Sequence, residues 1–118
     1  MKRFIIIAAA IATLAPLSAH AQERMSDGRY AAAQRCLAYG NLRQLEGDPL
    51  DFTALREAVD VGTREYWLVS DAREYARGLR ARAGGASVEH LRRSRDEACQ
   101  GFVEQGLVQS NESNTGAS

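Results

Sequence analysis

The sequence predicts an all-α protein, a small bundle of three or four helices with one disulfide between the first and last helices. After residue 21, apolar side chains recur every three or four positions, as on one face of a helix, and no useful alternating strand pattern occurs. Only one proline, Pro49, follows residue 21. Cys36 and Cys99 both fall on apolar faces, near the middle of the first and last predicted helices.

Residues 1–21 have the pattern of a signal peptide. Lys2 and Arg3 form a basic start, Phe4 to Leu14 is an apolar run, and Ala19-His20-Ala21 is a small-x-small site. The run is too short to span a membrane as a helix. We therefore expect cleavage between Ala21 and Gln22, a periplasmic or secreted protein, and no transmembrane segment in the mature chain.

The predicted bundle domain covers residues 22–108 and begins with a helix capped by Ser26 or Asp27. This helix is expected to run to about Leu45, where Gly47-Asp48-Pro49 ends it. Its predicted inner face consists of Tyr30, Ala33, Cys36, Leu37 and Gly40.

The middle of the chain allows two interpretations. Asp51 is the next cap, and an apolar series with helical spacing continues from Phe52 through Gly62 to Val69. The series then changes face, and Ser70-Asp71 with Glu74 forms a capping pattern. We favour a helix break near Ser70; the alternative is one long bent helix from Asp51 to Ala83.

Gly84-Gly85-Ala86 predicts a turn, and Ser87 is expected to cap the last helix. From Gln109 onwards the sequence is too polar to be buried, so residues 109–118 are predicted to be a disordered tail. The apolar face of the last helix consists of Val88, Leu91, Ala98, Cys99, Phe102, Val103 and Gly106.

The two cysteines are expected to form a structural disulfide, because an isolated pair in an exported protein is normally oxidised. Loop closure over this distance stabilises the folded state by roughly 4 kcal/mol. The CxxC spacing of redox-active pairs is missing.

Candidate chemistry is sparse in this chain. No CxxCH site for covalent haem occurs, and Met25 and His90, the remaining ligand candidates, begin helices at opposite ends of an up-down-up-down bundle. One mature histidine is too few for a histidine-based nucleophile arrangement, and no metal-ligand spacing is visible. We therefore expect no cofactor, no metal site and no enzymatic activity.

Two surface features indicate binding instead. Tyr66-Trp67-Leu68-Val69 is apolar almost all the way round a helix, so either neighbouring helices cover it or it presents an aromatic anchor. Residues 73–95 carry seven arginines against two acids, which indicates either a solvated hairpin with Glu89–Arg93 and Arg92–Asp96 pairs or a site for an anionic partner. The candidate partner-binding residues are Trp67, Tyr39, Arg77, Arg80, Arg82, Arg92 and Arg93.

These features favour an exported binding module of the cell envelope, as an inhibitor, immunity or accessory factor. An acid-stress chaperone and a small carboxylate-dependent hydrolase are the alternatives. In outline only, the chain resembles periplasmic groups such as acid-stress chaperones and immunity proteins, and no motif identifies a family. We expect an envelope protein or an anionic surface as the partner and not nucleic acid.

Overall fold

The computed structural model describes residues 23–110. The predicted signal peptide and residues 111–118 lie outside the described residues. The described part contains four helices and one short antiparallel sheet. In chain order these elements are α1 (Asp27–Gly40), a 3-10 turn (Arg43–Leu45), β1 (Leu50–Asp51), α2 (Thr53–Val59), α3 (Tyr66–Ala83), α4 (Val88–Glu104) and β2 (Gln109–Ser110). The predicted helical bundle is confirmed.

The predicted disulfide is also confirmed. Cys36 and Cys99 are bonded, with their Cα atoms 4.9 Å apart, and both residues are buried. Cys36 lies in α1 and Cys99 in α4, so the bond joins the first helix to the last.

Helix α1 begins as predicted but ends earlier. The Ser26 hydroxyl accepts a hydrogen bond from the backbone N–H of Arg29 at 3.2 Å. The helix stops at Gly40 and not near Leu45, because Leu42 adopts an extended backbone. The Phe52 ring packs so closely on Gly40 that a Cβ there would lie 2.8 Å from it.

The predicted break near Ser70 is wrong, and so is the single long helix. Ser70 lies inside α3, and the chain instead turns between Asp60 and Glu65. Gly62 adopts φ +79 in this linker, a left-handed conformation that suits glycine and ends the helical path. The linker residues keep helical spacing in the sequence, which hid the break.

Helix α4 has the predicted cap, since the Ser87 hydroxyl accepts a hydrogen bond from the N–H of His90 at 3.1 Å. It ends at Glu104, and Gly106, expected on its apolar face, turns the chain with φ +81. Val88 and Val103 are exposed, contrary to expectation. Gln109 and Ser110, the start of the predicted tail, pair with Asp51 and Leu50.

Helix α1 is the centre of the packing and contacts α2, α3 and α4, whereas α3 and α4 make few contacts with each other. The core forms two clusters, one at each end of the bundle. The first consists of Tyr30, Ala33, Cys36, Leu37, Phe52, Leu55, Val59, Leu68, Cys99, Phe102 and Val108; the second consists of Ala38, Leu42, Leu45, Leu79, Ala83 and Leu91. Across residues 23–110, every helix is too short or too polar to cross a membrane.

Candidate functional site: an aromatic groove between α1 and α3

Two aromatic side chains are exposed at the first turn of α3. Tyr66 is 78% exposed and Trp67 is 54% exposed, while the next residue, Leu68, is buried in the first core cluster. The apolar run that begins at Tyr66 is therefore only partly covered by neighbouring helices. Exposed tryptophan and tyrosine are the side chains that most often dominate protein-binding surfaces.

Trp67 lines a groove of about 430 Å³ between α1 and α3, which we call the aromatic groove. Small side chains of α1 form one wall, because Gly28 and Ala31 leave room beside the neighbouring helix. The complete lining consists of Asp27, Gly28, Ala31, Gln34, Arg35, Trp67, Leu68, Asp71, Ala72 and Tyr75. The groove lining thus combines apolar and small side chains with three charged residues, Asp27, Arg35 and Asp71.

The two ends of the aromatic groove differ in charge. Asp27 and Gly28 at the start of α1 line the groove together with Trp67 at the start of α3. Arg35 and Tyr75, which lie later in these helices, line it together further along, so the two helices run parallel. Asp27, paired with Arg64 at 3.1 Å, lies at the Trp67 end. Asp71 lies midway, about one helical turn from both Trp67 and Tyr75, and forms no ion pair within residues 23–110. Arg35 supplies the charge at the Tyr75 end.

A group of aromatic and basic side chains surrounds Tyr75; we call Arg35, Tyr39, Tyr75 and Arg82 the tyrosine–arginine cluster. The Arg35 guanidinium carbon lies 5.5 Å from the centre of the Tyr75 ring. Burial raises the pKa of Tyr75, a side-chain hydrogen bond with Tyr39 raises it further, and the charges of Arg35 and Arg82 oppose the rise. Tyr39, predicted as a binding residue, is half-buried in this cluster.

Two of the five predicted basic residues are paired with acids. Arg92 is held by Asp48 in two hydrogen bonds of 2.9 and 3.2 Å, so the expected Arg92–Asp96 pair is not formed. Arg77 lies 3.7 Å from Glu74. Arg80, Arg82 and Arg93 are exposed and form no ion pair among the described residues, and the expected Glu89–Arg93 pair is also not formed.

Arg80 and Arg82 lie on different faces of α3. Residues two positions apart in a helix are separated by about 200° around its axis. The side chains of Arg80 and Arg82 therefore leave α3 in nearly opposite directions. The Arg82 guanidinium lies over Gly78, about one turn from Tyr75, and its charge lowers the pKa of Tyr75. Arg80 leaves α3 on the other side. Of the predicted arginines, Arg82 is therefore the one that acts on Tyr75, whereas the groove lining itself contains Arg35.

Sequence reasoning missed a buried ion-pair network. Arg95, whose side chain is 7% exposed, donates to Asp48 at 2.6 Å and to Asp96 at 2.9 and 3.1 Å. The hydrogen bond from Arg92 lowers the pKa of Asp48 to about 2, with Arg95 contributing and burial opposing the shift. Arg95 lies four residues after Leu91 and four before Cys99, a spacing that places it on the apolar face and could have revealed its role.

Arg64 was also missed, although it positions the groove. Its side chain, 3% exposed, donates to the Asp27 carboxylate at 3.1 Å and to the Met25 carbonyl at 2.6 Å. Its guanidinium carbon lies 4.6 Å from the centre of the Tyr30 ring, and its Nε is buried without a hydrogen-bond partner. Arg64 thereby fixes the linker against the start of α1, three residues before Trp67.

The residues considered for haem do not come together: Met25 packs near the first core cluster, and His90 is exposed at the start of α4, beside the second. Among the described residues, no group of three or more histidine, cysteine, aspartate or glutamate side chains is arranged to hold a metal ion. The fold and groove define a small disulfide-linked helical bundle with an exposed aromatic groove. Comparisons of the chain with protein-family models, curated proteins and solved structures found no match.

Proposed function

We propose that this protein is an exported, non-enzymatic binding module that docks a protein of the cell envelope in the aromatic groove. The exposure of Trp67 at the groove supports this proposal most strongly. The partner supplies an apolar side chain that packs against the Trp67 indole. A tryptophan in a well-packed contact of this kind typically contributes about 2 kcal/mol or more to binding.

The architecture around Trp67 supports a rigid binding surface. Leu68 anchors the first turn of α3 in the core, and Arg64 fixes the linker that precedes it. The Cys36–Cys99 bond holds α1, the other wall of the groove, against α4. A surface that is already ordered loses little conformational entropy when a partner binds.

Export is supported by the sequence pattern of residues 1–21 and by the buried disulfide, a bond that persists in oxidising compartments. A structural role for two of the acids supports the non-enzymatic assignment. Asp48 is bound by two arginines, and Asp51 accepts a hydrogen bond from the Thr53 N–H at 2.9 Å. Both carboxylates therefore have structural partners that account for their positions.

Co-purification from the cell envelope with a matched pair of variants tests the proposal. Trp67→Ala removes the aromatic anchor, and Val103→Ala removes an exposed apolar side chain of similar accessibility on α4. We expect a specific partner to be recovered with the parent protein and with Val103→Ala, and to be lost with Trp67→Ala.

The affinity for the purified partner then measures how much Trp67 contributes to binding. Trp67→Ala should weaken it by about 30-fold or more, the equivalent of about 2 kcal/mol, while changing the free energy of unfolding by less than about 1 kcal/mol. Equal affinity for the two variants would show that the groove is not the docking surface.

A further inference from the structure

We propose that the tyrosine–arginine cluster receives a carboxylate of the docked protein segment, so that the groove recognises an apolar residue and an Asp or Glu at a fixed separation. This inference rests on the proposed function and specifies the chemistry of the partner. The proposal depends on the arrangement of Arg35, Tyr39, Tyr75 and Arg82 relative to Trp67.

The cluster provides guanidinium donors that are not used in ion pairs within the described residues. Arg35 and Arg82 form no ion pair among residues 23–110, although Glu97 lines the same part of the surface as Arg35 and Tyr75. Asp71 also lines the groove with Arg35 and Tyr75, but neither carboxylate lies within ion-pair distance of a guanidinium group of the cluster. An arginine side chain offers paired N–H donors that match a carboxylate.

The tyrosines preorganise this site. Arg35 lies over the face of the Tyr75 ring at 5.5 Å, which orients the guanidinium and limits the rotamer entropy lost on binding. Because Tyr39 and Tyr75 share a hydrogen bond, one phenolic hydroxyl remains as an additional donor to a carboxylate oxygen. The site is therefore partly assembled before a ligand arrives.

The geometry of α3 sets the separation between the two contacts. Tyr75 follows Trp67 by two helical turns, about 12 Å along the axis at 1.5 Å per residue. An extended segment covers this distance in about four residues, and a helical segment covers it in about eight. Arg35 is the one basic residue of the groove lining and lies at the Tyr75 end, so the partner's carboxylate is placed there and not beside Trp67.

Selection from a peptide library tests this inference on the purified, oxidised protein. Random linear peptides of about 12 residues span up to about 40 Å when extended, which exceeds the length of the groove. We expect the selected peptides to share an apolar residue and an Asp or Glu at one constant spacing. Peptides without an acidic preference, or with a basic one, would overturn the inference.

A double-mutant cycle then assigns the acidic preference to the cluster. Changing the selected acid to its amide should weaken binding to the parent protein by about fivefold, the upper range for an exposed charge pair. The same change should have little effect on the Arg35→Gln/Arg82→Gln variant. Arg80→Gln, on the other side of α3, is the matched control and should retain the fivefold effect.

The outcomes separate this inference from the proposed function. Suppose that the selected peptides need Trp67, but the acid-to-amide change weakens binding equally for the parent and for the Arg35→Gln/Arg82→Gln variant. This result would overturn the carboxylate site and leave the proposed function standing. A library that yields no Trp67-dependent peptide overturns the proposed function. Self-association of the protein that Trp67→Ala abolishes would identify a second copy as the occupant and would overturn both.

Discussion

Replacement of Asp48 by asparagine is the most informative test of the ion-pair network. Asp48 accepts hydrogen bonds from Arg92 and Arg95, and these contacts connect the segment before β1 to α4. The variant preserves the shape of the side chain and removes its charge. The almost buried Arg95 guanidinium then loses its strongest electrostatic partner.

The expected magnitude follows from the pKa of Asp48. A fall from 3.8 to about 2 corresponds to about 2.4 kcal/mol at about 1.36 kcal/mol per pKa unit. The side chain is 17% exposed, and solvent screening reduces this figure to roughly 1.5 kcal/mol. For a domain of this size, we expect the melting temperature to fall by about 6–12 °C at pH 7.

The pH dependence supplies the decisive signature. Because folding lowers the pKa of Asp48, its contribution is fully present above pH 3.8 and is lost as the pH falls through about 2. The difference in unfolding free energy between the parent and Asp48→Asn should therefore be constant from pH 7 to about 4 and should shrink towards pH 2. Urea titrations across this range measure it.

Asp96→Asn is the matched control, because Asp96 also accepts hydrogen bonds from Arg95 but is 63% exposed. We expect this change to lower the free energy of unfolding by less than about 0.5 kcal/mol. An effect of Asp48→Asn that is equally large at pH 7 and at pH 2 would refute the electrostatic explanation. It would indicate that the geometry of the segment, and not its charge, stabilises the contact.

The packing of α1 leads to further expected outcomes. Gly40→Ala should lower the free energy of unfolding by about 1–3 kcal/mol in urea titrations, because its Cβ would meet the Phe52 ring at 2.8 Å. Gly28→Ala, with nothing within 4 Å, should be neutral or stabilising by up to about 1 kcal/mol, and the reverse order would contradict the packing argument. Replacing both Cys36 and Cys99 by alanine should destabilise the protein by about 4 kcal/mol, the loop-closure value for a separation of 63 residues; unchanged stability would exclude that role. Binding of an apolar fluorescent dye should stay constant between pH 7 and about 4, because Asp48 remains charged there, whereas a reversible rise would favour the acid-stress chaperone alternative.

Local signals were sufficient for most of the fold. Ser26 and Ser87 mark helix starts because their hydroxyls accept backbone hydrogen bonds three residues later, a relation that is visible in sequence. The break between α2 and α3 was not visible in this way. Helix α3 has Glu65 at its N-cap without a side-chain hydrogen bond, and the capping pattern at Ser70 lies inside the helix. A left-handed glycine at position 62 resembles an ordinary apolar-face residue until its backbone angle is known.

The candidate site was predictable only in part. Trp67 stood out because an apolar run covered more of the helix than one buried face requires. The partners of Asp48 are separated from it by 44 and 47 residues, and no local pattern indicates such a distant pair. Arg35 and Tyr75 come together because α1 and α3 are parallel neighbours, and this property depends on the position of the linker between Asp60 and Glu65.

The disulfide also makes residues 36–99 a covalent ring that contains α2, the exposed Gly62 turn and α3. A protease that cuts this ring once, at the turn, leaves both products attached to each other through Cys36 and Cys99. The nicked protein stays a single molecule, heavier by one water, until a reductant separates it into two fragments. Damage at this exposed turn is thereby prevented from releasing either wall of the groove.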